Sequence, residues 1–497
     1  MSALAEHAQS FADKPAIIDG EDGAVVTFDE LNRRAIRCAR LFQRDGLEFG
    51  DHIAVMAENL PDVLAVAWAA LRSGLYLTPV NWHLTADEAA YVVSDCMAKW
   101  LLISPGVGDV AEELDVDLDR SVHRYTLGAS SGSYLSLDAA LASQSEQPLE
   151  EELEGDIMFY SSGTTGRPKG ILRPLRRRAT DSEPNPLTQL MAGVYGFSER
   201  TTYLCPAPLY HAAPLAWSLG VQRLGGTVVL MRRFDAAKAL SLIERYQVDR
   251  GQFVPTMFVR MLKLPKEERE RYDVSNLEAA IHAAAPCPVD VKQQMLDWWG
   301  PVIHEYYAGS EGGGFVSVGP EEWLARPGTV GRPLLGKIHV VGPEGDELPP
   351  GEVGVVYFDS GADFEYHGDP EKTRETYDHR GWHTLGDMGY VDEEGYLFLT
   401  DRKSHMIISG GVNIYPQEAE NILTTHPAVL DVAVIGVPHP EFGESVKAVV
   451  QPVDSTNLRI SRATRLPTTA WSVSPSTSVR AAWISSTSCH GCRPESC

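Results

Sequence analysis

An α/β architecture built on parallel sheet is the fold class this sequence predicts, and three observations carry it. Strand-type and helix-type apolar patterns alternate through most of the chain. The short strands are of the continuous, buried aliphatic kind, and a chain of 497 residues is too long for one compact core. Two or more domains are therefore expected.

Taken in order, Val26-Thr27-Phe28-Asp29-Glu30-Leu31 opens a helix with two acids in its first turn, and Leu31, Ala35, Cys38 and Leu41 fall near one face. His52-Ile53-Ala54-Val55-Met56 reads as a buried strand, residues 62–73 as a helix and residues 75–79 as the next strand. Strand, helix and strand at that spacing form a βαβ unit, which implies parallel pairing. Between residues 106 and 154 the pattern loosens into acidic, Ser/Gly-rich sequence that predicts a loop. The rhythm resumes with a strand entering Cys205-Pro206-Ala207-Pro208, a strand over 225–231 and a helix over 235–246. Past Gly328, turns at Gly331-Arg332-Pro333, Gly342-Pro343 and Pro349-Pro350-Gly351 predict short strands of a β subdomain.

Composition narrows the partners. Lys plus Arg total 43 against 68 Asp plus Glu, a net charge of -25, which argues against nucleic acid or an anionic membrane surface. Apolar runs such as Val63 to Leu71 fall far short of the ~20 residues of a membrane span. The start Met1-Ser2-Ala3-Leu4 lacks the basic opening and apolar run of a signal peptide, so a cytoplasmic location without integral membrane association is expected. Cys38, Cys96, Cys205 and Cys287 are scattered singly, as reduced thiols are. Cys489-His490-Gly491-Cys492 has the look of half a zinc site, but no second pair accompanies it.

The chemistry centres on Tyr160-Ser161-Ser162-Gly163-Thr164-Thr165-Gly166-Arg167-Pro168-Lys169-Gly170. Four aliphatic hydroxyls, three glycines and a lysine within eleven residues supply the short donors and open backbone N–H groups that wrap a polyphosphate. No Walker A spacing can be drawn through the run. Further on, Ala283-Ala284-Ala285-Pro286 would let a flat base lie against backbone. Ile303 to Glu311 ends a strand in aromatic residues, small residues, a hydroxyl and a carboxylate. Glu311 is a hard oxygen ligand suited to Mg²⁺ beside substrate phosphates, Tyr307 could stack on a base, and Ser310 could bond the α-phosphate. Asp387, after Gly386, can accept from two vicinal hydroxyls, as ribose-binding carboxylates do.

The run from Tyr160 to Gly170 closely resembles the phosphate-binding signature of the acyl-adenylate-forming enzymes, the superfamily of acyl-CoA synthetases, luciferases and peptide-synthetase adenylation domains. That resemblance implies a large N-terminal domain of two parallel-rich sheets with helices plus a distorted β-barrel subdomain, and a small α+β C-terminal domain that is incomplete here. The boundaries expected are 1–401, 402–458 and an aberrant tail over 459–497. It also implies roles, residue by residue. Ser161, Ser162, Gly163, Thr164, Thr165, Gly166 and Lys169 hold the phosphates, Ala284, Ala285 and Pro286 the adenine, and Tyr306, Tyr307, Ala308, Gly309 and Ser310 the rest of the nucleotide. Asp387 and Arg402 take the ribose, Ser404 is a domain pivot, and Gly410 and Gly411 line a pantetheine tunnel. Lys169, Thr165, His211 and Glu311 act in the reaction, His211 beside the carboxylate. Phe253 to Phe258 lie where the family builds its acyl tunnel, although core packing explains them equally well. Ala57-Glu58-Asn59 and Pro79-Val80-Asn81 match weakly and read physically as turns and caps.

The implied reaction uses ATP, Mg²⁺ and coenzyme A on a small-molecule carboxylic acid. Two alternatives stand beside it: an adenylating enzyme that loads a carrier protein, and a catalytically silent nucleotide-binding relative. The resemblance fades after Pro452, and from about Arg459 the chain becomes Ser/Thr-rich without period. Members of the superfamily continue to a Pro-x-Gly-Lys segment whose lysine serves adenylation, whereas the last lysine here is Lys447. Back-translation of residues 476–497 in a frame displaced by two bases allows a run ending Leu-Pro-Thr-Gly-Lys-Leu. A frameshift near Arg459 is therefore expected to have produced the tail.

Overall fold

The computed structural model describes residues 2–161, 167–361, 364–402, 405–409, 412–439 and 443–453. Two parallel-rich sheets form its framework. One has nine strands in the order Arg332–Leu335, Phe315–Val318, Ile303–Tyr307, Ala279–His282, Arg250–Phe253, Thr202–Cys205, Thr227–Leu230, Pro15–Asp19, Val25–Thr27. The other has six, in the order Leu135–Ser136, His123–Thr126, Ala98–Ile103, His52–Met56, Tyr76–Val80, Asp156–Ile157. The βαβ unit read from the sequence is present: His52 to Met56 pair in parallel with Tyr76 to Val80 across the helix Pro61–Leu71.

That helix is buried from Val63 through Leu71, which is why its sequence is apolar all round, and it packs on the amphipathic helix Phe28–Arg44. The latter begins at a Thr27 capping box with Glu30. The loop expected between 106 and 154 is instead a folded extension. It contains the helix Val110–Asp117, the strand His123–Thr126 and the helix Leu137–Leu141, and it widens the six-stranded sheet. Its elements are short, and Leu114, Tyr125, Leu137 and Leu141 anchor it to the core.

The β subdomain is an antiparallel four-stranded sheet of Lys337–Val341, Gly354–Asp359, His383–Val391 and Leu397–Arg402. A three-stranded sheet of Phe159–Ser161, Lys169–Leu172 and Glu365–Tyr366 bridges it to the framework. After Arg402 a separate sheet of Ile407–Ser409, Val412–Ile414, Val429–His439 and Gly443–Pro452 carries the helix Pro416–Thr424. Its first turn is capped by Asp401, which accepts from the Gln417 amide at 3.2 Å. Lys263 of the large framework donates to the carbonyls of Thr424 and Val429 at 3.0 and 2.6 Å.

Candidate active site

The carboxyl ends of the parallel strands converge on one edge of the molecule, where open α/β sheets bind their ligands. Asn81-Trp82-His83 follow Tyr76–Val80, Tyr210 and His211 follow Thr202–Cys205, Ala283 to Pro286 follow Ala279–His282, and Ala308 to Glu311 follow Ile303–Tyr307. A buried side chain joins the two sheets there. Asn59, 4% exposed, donates to the carbonyls of Ala207 and Met231 at 2.9 and 2.8 Å and accepts from the Leu209 amide at 2.7 Å. Every polar atom of this amide is used, so it fixes the segment that presents Tyr210 and His211.

The strands Phe159–Ser161 and Lys169–Leu172 pair antiparallel in the small sheet, with Ser161 directly opposite Lys169. Ser162, Gly163, Thr164, Thr165 and Gly166 lie outside the described residues. The Lys169 ammonium meets Asp369 at 2.8 Å, and that hydrogen bond raises its affinity for a proton above the ordinary lysine value. The strand then runs toward Glu311. Arg173 donates to the Ser310 carbonyl at 2.9 Å, and Tyr366, opposite Ile171 in the sheet, donates to Glu311 Oε1 at 3.0 Å. Lys169 and Glu311, separated by more than a hundred residues of sequence, thus belong to one continuous hydrogen-bonded surface.

A second corner gathers a tyrosine, a carboxylate and an arginine. Tyr307 donates to Asp387 Oδ2 at 2.7 Å, and Arg402 faces Asp387 Oδ1 at 3.3 Å. Burial pushes the Asp387 carboxyl above its usual range, against the pull of Tyr307 and Arg402. A Cβ on Gly309 would stand 2.4 Å from Leu385 Cδ2, so that side chain would have to move to admit one. Ala284, exposed at its strand's end, has φ of 73°, a left-handed backbone that non-glycine residues adopt at a cost and that clusters at functional sites.

The two tyrosines part company because neighbours in a strand face opposite ways. Tyr306 is buried, stacked on Trp217 and Phe315 at 5.5 and 4.9 Å, and accepts from Gln252 at 2.8 Å. Tyr307 alone faces the corner with Asp387. Phe253 and Phe258 pack on each other at 5.5 Å and on Trp299, so these rings belong to the core. His211 opens the helix Ala212–Arg223, with the Tyr210 ring 4.5 Å away and His83 beyond it at 6.4 Å from Tyr210. It is solvent-exposed by area, yet the flanking walls desolvate its imidazole and push its pKa down. Ser404, Gly410 and Gly411 lie outside the described residues.

The residues fit a magnesium nucleotide. Among the described residues no cluster of three or more His, Cys, Asp or Glu could cage a metal ion. One or two carboxylates are how Mg²⁺ is commonly held, with substrate phosphates and water completing its shell. Sequence reasoning missed Tyr366 and Asp369, whose only signal was their partners across the sheet.

The chain is similar to known proteins over most of its length. Residues 4–362 match the AMP-binding enzyme family, and residues 418–470 match the AMP-binding enzyme C-terminal domain, reaching past Pro452. The chain is 32% identical over 445 residues to a feruloyl-CoA synthase of Amycolatopsis sp, spanning 88% of this chain and 85% of that protein. It is 30% identical over 451 residues to the fatty acid–[acyl-carrier-protein] ligase ScoC of Streptomyces coeruleorubidus, spanning 89% of this chain and 85% of that protein. The crystal structure of ATP-bound MatB from Rhodopseudomonas palustris superposes with a TM-score of 0.78 at 28% identity, covering 97% of this chain and 95% of that one. The chain belongs to the AMP-binding enzymes, the adenylate-forming ligases that join acids to thiols. No helix among the described residues is long and apolar enough to cross a membrane.

Proposed function

We propose that the chain is an ATP-dependent carboxylic acid–CoA ligase that works through an acyl-adenylate and is weakened in its first half-reaction. The observation that carries this reading is the joining of Lys169 to Glu311 through Tyr366. In the first half-reaction the acid's carboxylate oxygen attacks the α-phosphorus of ATP and pyrophosphate leaves. In the second, the thiol of CoA attacks the acyl carbon and AMP leaves.

The first step needs alignment and charge neutralisation more than proton transfer. Lys169 would exchange Asp369 for phosphate oxygens, Tyr307 would stack on the base, and Asp387 with Arg402 would take the ribose hydroxyls. His211, kept neutral by its surroundings, can orient the incoming carboxylate without trapping it as a salt. Glu311 would hold Mg²⁺, whose contribution is to neutralise phosphate charge. Loss of one charge-assisted contact of this kind typically costs on the order of 10²-fold or more in rate. Residues 448–497 contain no lysine, which supports slow adenylation, with thioester formation from supplied acyl-adenylate less affected.

Pyrophosphate release would test this across aryl and fatty acids, with and without CoA, in this chain and in a version restored to the displaced frame. Much faster release by the restored version is expected. Equal rates would refute the impairment, and a coding strand without that frame would refute the frameshift. The similarity to ScoC favours a second reading, transfer to a carrier protein, which acceptance of a phosphopantetheinyl protein in place of free CoA would select.

A further inference from the structure

The strand Glu365–Tyr366 forms one edge of the small sheet, and its register sets Tyr366 opposite Ile171, just beyond Lys169. From there the phenol engages Glu311 Oε1 at 3.0 Å. The other oxygen, Oε2, lies on the Gly309 side, 2.8 Å from where a Cβ on that glycine would sit. The main chain beside Glu311 is tied to the neighbouring strand Lys169–Leu172, since Arg173, the residue after it, holds the Ser310 carbonyl. Asp369, just beyond Tyr366, is the residue that pairs with Lys169. One short segment therefore touches both charged groups of the phosphate site.

We propose that Tyr366 is a positioning residue for the metal-binding carboxylate: its phenol locks the orientation of Glu311 so that Oε2 is presented to a magnesium nucleotide held by Lys169. This rests on the ligase reading and adds a residue to it. A neutral phenol is suited to the task. It orients the carboxylate by a charge-assisted hydrogen bond while leaving the full negative charge for the cation, which a lysine or arginine partner would cancel.

The test is Tyr366→Phe in the full chain, read by manganese binding in the presence of a non-hydrolysable α,β-methylene ATP, using the electron paramagnetic resonance signal of free Mn²⁺. The expected result is a loss of Mn²⁺ affinity of about tenfold. Analogue binding without metal should remain within about twofold of wild type. In a Glu311→Gln background, Tyr366→Phe should have no further effect on Mn²⁺. Unchanged Mn²⁺ affinity in Tyr366→Phe overturns the proposal, as does an equal loss of metal-free analogue binding, which would mark the tyrosine as a structural strut. A wild-type chain that binds no manganese nucleotide overturns the ligase reading, and the proposal with it.

Discussion

Replacing Asn59 by Leu tests whether one buried amide holds the two halves of the site in register. The side chain is 4% exposed and makes three hydrogen bonds, all to backbone groups that follow strands of the nine-stranded sheet. Leucine keeps the volume but leaves the carbonyls of Ala207 and Met231 and the amide of Leu209 without their partner. A net hydrogen bond contributes about 1 kcal/mol, and a buried group left unpaired costs about 1–3 kcal/mol. With partial relaxation, the sum is about 3–5 kcal/mol. That is a large fraction of the ~5–15 kcal/mol that holds a domain folded. Urea unfolding followed by tryptophan fluorescence would measure it. Because Leu209 leads directly into Tyr210 and His211, the KM for the acid should rise more than the KM for ATP. A destabilisation below about 1 kcal/mol, or equal changes in both KM values, would refute the assigned role.

Three further outcomes are expected. Lys292 is fully buried and meets Glu305 at 2.6 Å, so Glu305→Gln should destabilise by about 3–5 kcal/mol, whereas Lys292→Met with Glu305→Leu should cost far less; urea midpoints of the two variants against wild type decide it. Lys169→Met should weaken ATP binding and slow adenylation by on the order of 10²-fold, while Asp369→Asn, which frees the ammonium, should tighten ATP binding, as calorimetry would report. His52 and His383 are buried with pKa pushed down by desolvation to about 4, below the ~6.5 of the unfolded chain. Their stabilisation is thus complete above pH 6.5 and is lost as pH falls toward 4, a drop of about 3–4 kcal/mol between pH 7 and pH 5. His383→Phe should remove about half of that pH dependence in urea titrations.

The sequence by itself determined the fold class, through strands and helices whose periods are local. The proposed nucleotide residues Ser161, Lys169, Ser310, Glu311 and Asp387 come from motifs, because motif chemistry is carried by neighbours in the chain. The segment 106–154 reads as loop because its elements are short and lie within acidic, Ser/Gly-rich sequence, so only the sheet edge beside them reveals that they fold. Tyr306 and Tyr307 look equivalent in sequence, and the facing of their strand alone sends one to the core and the other to Asp387. Asn59 read as a turn residue until its three partners, all from segments about 150 residues or more away, came into contact with it. Tyr366 and Asp369 gave no local signal at all. What tertiary structure decided was which distant polar groups meet, because a hydrogen bond between strands far apart in sequence is set by sheet register and leaves no periodic trace in either strand.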